Sequence, residues 1–531
     1  MHRQVPFVLV SVLSVLLSAS AAALASSPGA GHSTSPVAPQ TLHVGTRFKG
    51  TQDSSQTPGE ATGAIGTTRF IEAVDSRVEI FTRAGASIAS DLLANLFHDT
   101  NLVQQDFDPQ IIWDGQMNRF IYAGVIIASG SNLLAFGFSK TASPSNLTSD
   151  FCHYGTSFSS DFPDSPRLGD TRDFILIGFN DLSSTGSYQE SGVSWSAKPP
   201  AGPTCPPGTS FARGLTFLKS QTGLDVFTPV PAQQTDTSGM GWIVSTMEPG
   251  TGSASTLVIH KVTKNSDGTA NIPSNGVDIA VAPYRVAPPA AQAGASQMID
   301  TFDTRLTQAV SARDPAHGGT VHLWTQHTVK SGIGSVVRWY ELNPVAASVT
   351  QTGTIAFANG FAFNGAISPD RQVVGATHRY GGDMVITYNT SSITTHTRIM
   401  VRSKRGTAPI SAPVQIAASP GPYFDFACPN PGDICPWAGA AATPDPLVGG
   451  SPTVGRVWIT NTPTPTAVAP CLPLGAVGTQ RWCPDGRMGR GARHRYVPLP
   501  CDAEHQRRER QLSRLVNLRG SGVVPRCSLT Q

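Results

Sequence analysis

The sequence predicts an all-β fold: a six- or seven-bladed β-propeller of four-stranded antiparallel blades, seven being the preferred count, with disordered termini. Three observations lead there. The passage Asp106 to Tyr154 holds four short apolar runs, Gln110–Trp113, Arg119–Ile127, Asn132–Ser139 and Phe151–Phe158. Asp, Gly, Asn, Ser or Pro separates each from the next, which is the pattern of an antiparallel meander. Similar units recur down the chain, and a unit that cannot bury both faces of its sheet needs neighbours stacked on it. Finally, 52 glycines and 42 prolines are spread through 531 residues of which only 14% are charged, a turn-rich composition unlike that of helical or α/β chains.

The blades follow in order. Blade one is Gly63–Gly85, with strands Arg69–Val74 and Arg77–Thr82 across an Asp75-Ser76 turn. Blade two is Asp108–Phe158. Blade three begins at Pro166–Phe179 and resumes at Ala212–Lys219, after an insertion carrying Ser191–Gly208. Blade four is Met240–Val262, blade five Arg305–Phe357 and blade six Ala362–Ala418. A seventh begins at Trp437 and runs into Gly455–Asn461, and Leu42–Phe48 is read as a strand that closes the ring and removes its exposed edges. Blades five and six share a first strand ending in an acidic turn (Ala312-Arg313-Asp314, Ser368-Pro369-Asp370), and Thr443-Pro444-Asp445 repeats it.

Residues 1–25 read as a secretory signal peptide. His2 and Arg3 precede the apolar run Val5–Leu17, which is short for a bilayer span, and Ala23-Leu24-Ala25 fits the cleavage pattern. Residues 26–40 form a disordered leader, 41–462 the propeller and 463–531 a basic tail. The tail has 11 arginines, no lysine and four acidic residues, together with Cys471, Cys483, Cys501 and Cys527. Three readings are open for it: a disordered extension clinging to anionic surfaces, a small disulfide-held module, or an out-of-frame read of a GC-rich gene, the last weighted most. The expected setting is therefore extracellular, where disulfides persist. Cys428 and Cys435 bracket a tight Pro/Gly loop and are paired; Cys152 and Cys205 are the default second pair. Zinc on these cysteines is not indicated, because neither a CxxC pair nor a suitably spaced His accompanies them.

The text DFDPQIIWDGQMNRFIYAG…NLLAFGFSKTASPSNLTSDFCHY resembles secreted bacterial β-propellers of the sialidase-like, BNR-repeat-like group. IGTTRFIEAVDSRVEIFTRAG resembles their opening blade and GRVWITN their closing one. The resemblance spans roughly residues 60 to 460. It implies a fold and an extracellular setting, and little chemistry. Intact Asp boxes are absent: the nearest strings, at Ser311–Gly318 and Ser368–Arg371, do not match.

Asp106, Asp108 and Asp114 gather around a strand start and offer hard oxygen ligands, so calcium is the one cofactor the residues suggest. Turn capping, the ordinary work of Asp, outweighs it. Arg167, Asp170, Arg172 and Asp173 form a charged group before an apolar strand and are the first candidates for a ligand site at the channel mouth, against a surface loop of exposed ion pairs. His322 and His378 sit in polar-aromatic strands of blades five and six and are candidates if they face the channel. Gly-x-Ser-x-Gly, His-Glu-x-x-His and phosphate-loop patterns are all missing. The expected function is a secreted, monomeric, non-catalytic recognition scaffold for an extracellular glycan, wall polymer or protein, with no specific nucleic-acid partner. The alternative is a glycoside hydrolase or lyase with its site at the channel mouth, marked by facing carboxylates of which one is desolvated.

Overall fold

A computed structural model describes residues 42–462, apart from 54–56, 99–104, 128–130, 201, 203, 248–251, 371–380 and 448–454. The residues read as signal peptide, leader and basic tail, together with His378, lie outside the described residues. The fold is all-β, with six four-stranded antiparallel blades and almost no helix. Blade one pairs Thr62–Ile65, Arg69–Val74, Arg77–Thr82 and Ser87–Leu92 in sequence order. Blade two pairs Gln105–Asp114, Arg119–Ile127, Leu133–Ser139 and Phe151–Ser157. Blades three, five and six repeat the pattern from inner strands Phe162–Asp170, Leu306–Asp314 and Phe361–Pro369. Blade four starts from Phe227–Pro231.

Six blades are complete, and the expected seventh is a two-stranded unit, Ala440–Pro444 with Val457–Asn461. Ala440–Pro444 packs against the inner strands of blades six and one, so it closes the ring. Leu42–Phe48 is not a strand; Phe48 instead packs its ring against Phe70, Phe81 and Trp458, covering the join between that unit and blade one.

The core lies between neighbouring blades. Ile71 and Ile80 meet Trp113 and Phe120; Ile121 and Phe136 meet Ile175 and Phe179; Leu176 and Trp195 meet Ile243 and Val258. Each sheet is thus buried on both faces, which is why strands such as Arg119–Ile127 read as continuous apolar runs.

Two strand readings are corrected. The insertion assigned to Ser191–Gly208 contains part of blade three's third strand, Tyr188–Ala197. Blade four gains an inner strand carrying Pro229 and Pro231, residues that argue against a strand in sequence. Blade three accommodates this strand with glycine. A Cβ on Gly178 would sit 1.9 Å from the Pro229 carbonyl oxygen, and one on Gly169 2.3 Å from that of Pro231. Both disulfides form as expected, Cys152–Cys205 and Cys428–Cys435.

Candidate functional site: a blind channel

The inner strands start every blade and line one central channel, with Thr62, Gln110, Arg167, Gln308 and Asn364 among its walls. Its two ends differ. At the C-terminal ends of the inner strands the channel is plugged by residues 232–238, which leave blade four, add Gln233–Gln234 as a parallel strand beside Val310–Ser311 and return. The plug is stitched on several sides. Gln233 Nε2 donates to the Trp113 carbonyl at 2.7 Å, the Gln234 amide to Asp170 Oδ1 at 2.9 Å, and the Thr235 amide to the Ser311 carbonyl at 3.0 Å.

Around this closed end stands a set of buried aspartates, one at the end of each of several inner strands: Asp114, Asp170, Asp314, Asp370 and Asp445. Each accepts backbone amides. Asp114 takes those of Gln116 and Met117, Asp314 that of Ala316, Asp370 those of Gly381 and Asp383, and Asp445 that of Leu447. Most also hold a cationic or imidazole partner. Lys198, 6% exposed, lies 2.5 Å from Asp114 and 2.8 Å from Asp170, and Arg83 bonds Asp445. Burial pushes Asp170 up to about 6 despite Lys198; burial pulls Lys198 down, but Asp170 and Asp114 outweigh it and raise the lysine above its ordinary value. Burial likewise takes Asp370 to about 7, with Asp383 adding to it.

The N-terminal ends of the inner strands form the other mouth. Glu60 precedes blade one's first strand, Asp108 sits on a bulge of blade two in the left-handed region (φ 54°), and Asp164 and Arg167 lie on blade three's inner strand. All four are half-buried. Here carboxylates meet carboxylates. Glu60 is held well above the ordinary range, first by burial and then by the charge of Asp108 and a hydrogen bond with it. Asp75, in the tight turn behind them, rises to about 8 through burial, Asp53 and Asp108. Asp164 rises by burial and Asp108, against the pull of Arg305. Burial lowers Arg167, helped by Arg305 and opposed by Asp108, Glu60 and Asp164; its Nε is buried without a hydrogen-bond partner among the described residues. Arg305 is differently placed: it grips Asp303 through two bonds of 2.7 and 2.6 Å and lies over Phe227 and Phe302.

The sequence-level candidates therefore separate. Arg167 is in the channel near the open mouth; Asp170, three residues on, is at the closed end under Lys198. Arg172 and Asp173 form an ion pair at the surface, joined by Lys264. The calcium reading loses its geometry: Asp106 and Asp108 start an extended strand that ends at Asp114, roughly 20 Å away for six residues at strand rise. His322 is buried beside Glu341, on blade five's second strand just after the closed-end turn, and outside the channel lining. His327 is locked between the Thr304 carbonyl and the Tyr340 hydroxyl, and burial drops it to about 3. Sequence reasoning missed Glu60, Asp164 and Arg305. It did see part of the aspartate set, whose signal was the repeated acidic turn.

No family model matches this sequence, and no curated protein matches it. Among solved structures, an apocarotenoid oxygenase from Synechocystis aligns over 67% of this chain and 71% of its own at 10% identity, TM-score 0.38. A GH43_1 enzyme from Xanthomonas citri complexed with xylose covers 55% and 90% at 8% identity, TM-score 0.30. A Bacteroides caccae protein of unknown function covers 56% and 83% at 8% identity, TM-score 0.26. At these values no chemistry passes from them to this chain; the propeller assignment rests on the sheets themselves.

Proposed function

We propose that this chain is a secreted recognition propeller that grips an extracellular glycan at the open mouth of the channel. The observation that carries the reading is the convergence of Glu60, Asp108 and Arg167 at the open end of a channel plugged at its other end. A ligand group entering there meets the Glu60 and Asp108 carboxyl groups and the guanidinium of Arg167, whose buried Nε has no hydrogen-bond partner among the described residues. Those are complementary partners for sugar hydroxyls and carboxylates, and charged hydrogen bonds in a desolvated site are the strong ones. Extracellular placement is part of the proposal and is supported by the two disulfides.

The same pair favours a second reading, hydrolysis or lyase chemistry. Burial and then Asp108 raise the Glu60 carboxyl well above its ordinary range, the direction a proton donor needs, and Asp108 beside it supplies the second carboxyl group. One experiment separates the two: binding and turnover of a polysaccharide panel by the full chain, Arg167→Met and Glu60→Gln. Under the recognition reading wild type binds without cleaving. Arg167→Met then weakens binding roughly 10- to 100-fold, the worth of a buried charged hydrogen bond. Glu60→Gln, which keeps the shape and a donor, weakens it less. Turnover by wild type that Glu60→Gln abolishes while binding survives establishes the hydrolytic reading. A panel that neither binds nor is cleaved overturns both.

A further inference from the structure

The closed end of blade five holds a cluster that turn capping does not use up. Asp314 ends the inner strand, His317 follows in the turn Pro315–His317, His322 lies on the next strand and Glu341 on the one after. The chain reverses tightly there because Gly318 and Gly319 both take left-handed conformations (φ 70° and 74°). This brings one ligand atom from each of the four side chains to within 4.8 Å of the others.

Two features distinguish this set from a network of ion pairs. First, three of the four groups have their outer atom already held, while His317 Nδ1 faces Asp314 Oδ2. Asp314 Oδ1 accepts the Ala316 amide at 2.8 Å, Glu341 Oε2 accepts Gln351 Nε2 at 2.7 Å, and His322 Nε2 sits 3.0 Å from the Thr320 hydroxyl. Thr320 gives its own proton to the His317 carbonyl, so it accepts from His322 Nε2–H and leaves Nδ1 with a free lone pair. Second, His322 Nδ1 and Glu341 Oε1 stand 2.6 Å apart, on side chains about 1% exposed, yet neither has a hydrogen-bond partner of acceptable geometry. The nearest lysine, Lys404, is committed to Gln351 Oε1 and the Gly406 carbonyl. Among the described residues only the imidazoles of His317 and His322 come within ion-pair distance of the Asp314 and Glu341 carboxylates.

We propose that Asp314, His317, His322 and Glu341 bind one divalent transition-metal ion, zinc by preference. Two neutral imidazoles and two carboxylates form a four-ligand set of the closed, structural kind, and a dication neutralises the two buried carboxylates. His317, half-buried, gives the ion its way in. The site fastens blade five's turn at the plugged end of the channel and takes no part at the open mouth.

The test is metal analysis of the purified full chain, wild type against His317→Ala and Glu341→Gln. His317 is on a surface turn and Glu→Gln is isosteric, so both variants keep the fold. Wild type is expected to retain about one zinc per chain after dialysis, the four-ligand complement. Chelation should lower its Tm, zinc should restore it, and cobalt substitution should give a tetrahedral d–d absorption. Both variants should lose the ion and the zinc-dependent Tm rise. Zinc kept by the variants places the metal elsewhere, on the tail cysteines for example, and overturns the proposal. So does a stripped wild type whose Tm is indifferent to zinc.

Discussion

The two ends of the channel carry the same residue types in opposite conditions. At the plugged end, carboxylates at strand ends face backbone amides, Lys198 or Arg83, and the geometry of the turns depends on them. At the open mouth, Glu60, Asp75 and Asp164 lie within electrostatic reach of Asp108, and burial, with that repulsion behind it, raises all three above the ordinary carboxylate range, Asp164 against the pull of Arg305. A carboxylate with a donor is part of the scaffold; a carboxylate whose nearest neighbour is another carboxylate is a cost the fold bears elsewhere, and such groups concentrate where a ligand completes them. The contrast assigns function to one end and construction to the other.

The largest expected effect tests the construction half. Lys198 is almost fully buried between Asp114 and Asp170. Lys198→Met keeps the bulk of the stem and removes the charge, leaving two buried aspartates without their cation. Breaking a buried pair from one side costs about 3–5 kcal/mol. Urea unfolding of the variant should show that loss in the midpoint. A loss below about 1 kcal/mol, the range of exposed pairs, would mean that the plugged end is wetter and looser than its hydrogen bonds imply.

The division between the ends was only partly legible in the sequence. Blade two was readable because its runs are bounded by turn residues and bury both faces, and Arg69–Val74 and Arg77–Thr82 agree with the observed strands residue for residue. The inner strand of blade four was hidden by Pro229 and Pro231, tolerated only because Gly169 and Gly178 let it approach. The third strand of blade three was hidden by its polar, exposed start at Tyr188. The charged group Arg167 to Asp173 was noticed, but an extended strand sends residues three apart to opposite faces and about 10 Å along the axis, so Arg167 and Asp170 part company. Glu60 had no signal of its own. Its chemistry comes from burial and then from Asp108, on another blade, and no local pattern encodes that meeting.

At the mouth, pH reads the carboxylate cluster. Asp75 is 6% exposed and rises to about 8 in the folded state through burial, Asp53 and Asp108, while an unfolded aspartate titrates near 4. The folded state therefore binds the proton more tightly. That contribution to stability is fully present below about pH 4 and is lost as the pH rises through about 8. Asp75→Asn copies the protonated form and suits the left-handed backbone there (φ 51°). The variant should lose less Tm than wild type between about pH 5 and pH 8, and it should be the more stable of the two at the upper end. A variant whose Tm curve runs parallel to wild type would show that Asp75 is ionised throughout, and that the mouth is not the repulsive cluster described here.

The smallest effect asks whether the mouth can be loosened without touching the plug. The Cys428–Cys435 loop lies on the mouth side, where Ile434–Cys435 pairs with Met298–Ile299 and Gln292 holds both the amide and the carbonyl of Tyr423 at 2.6 Å. From there Thr57 Oγ1 donates to Asp425 at 2.5 Å, three residues before Glu60. The disulfide closes a loop with a sequence separation of only 7, so the chain-entropy account gives it about 2 kcal/mol. In the double variant Cys428→Ala/Cys435→Ala, amide exchange should accelerate around Tyr423 and Met298 and around Glu60. Exchange at Gln234 and Thr235 in the plug should stay at the wild-type rate, because no bond of the disulfide loop reaches them. Equal acceleration at both ends would make the channel one cooperative unit and remove the basis for treating its mouth as a separately tuned site.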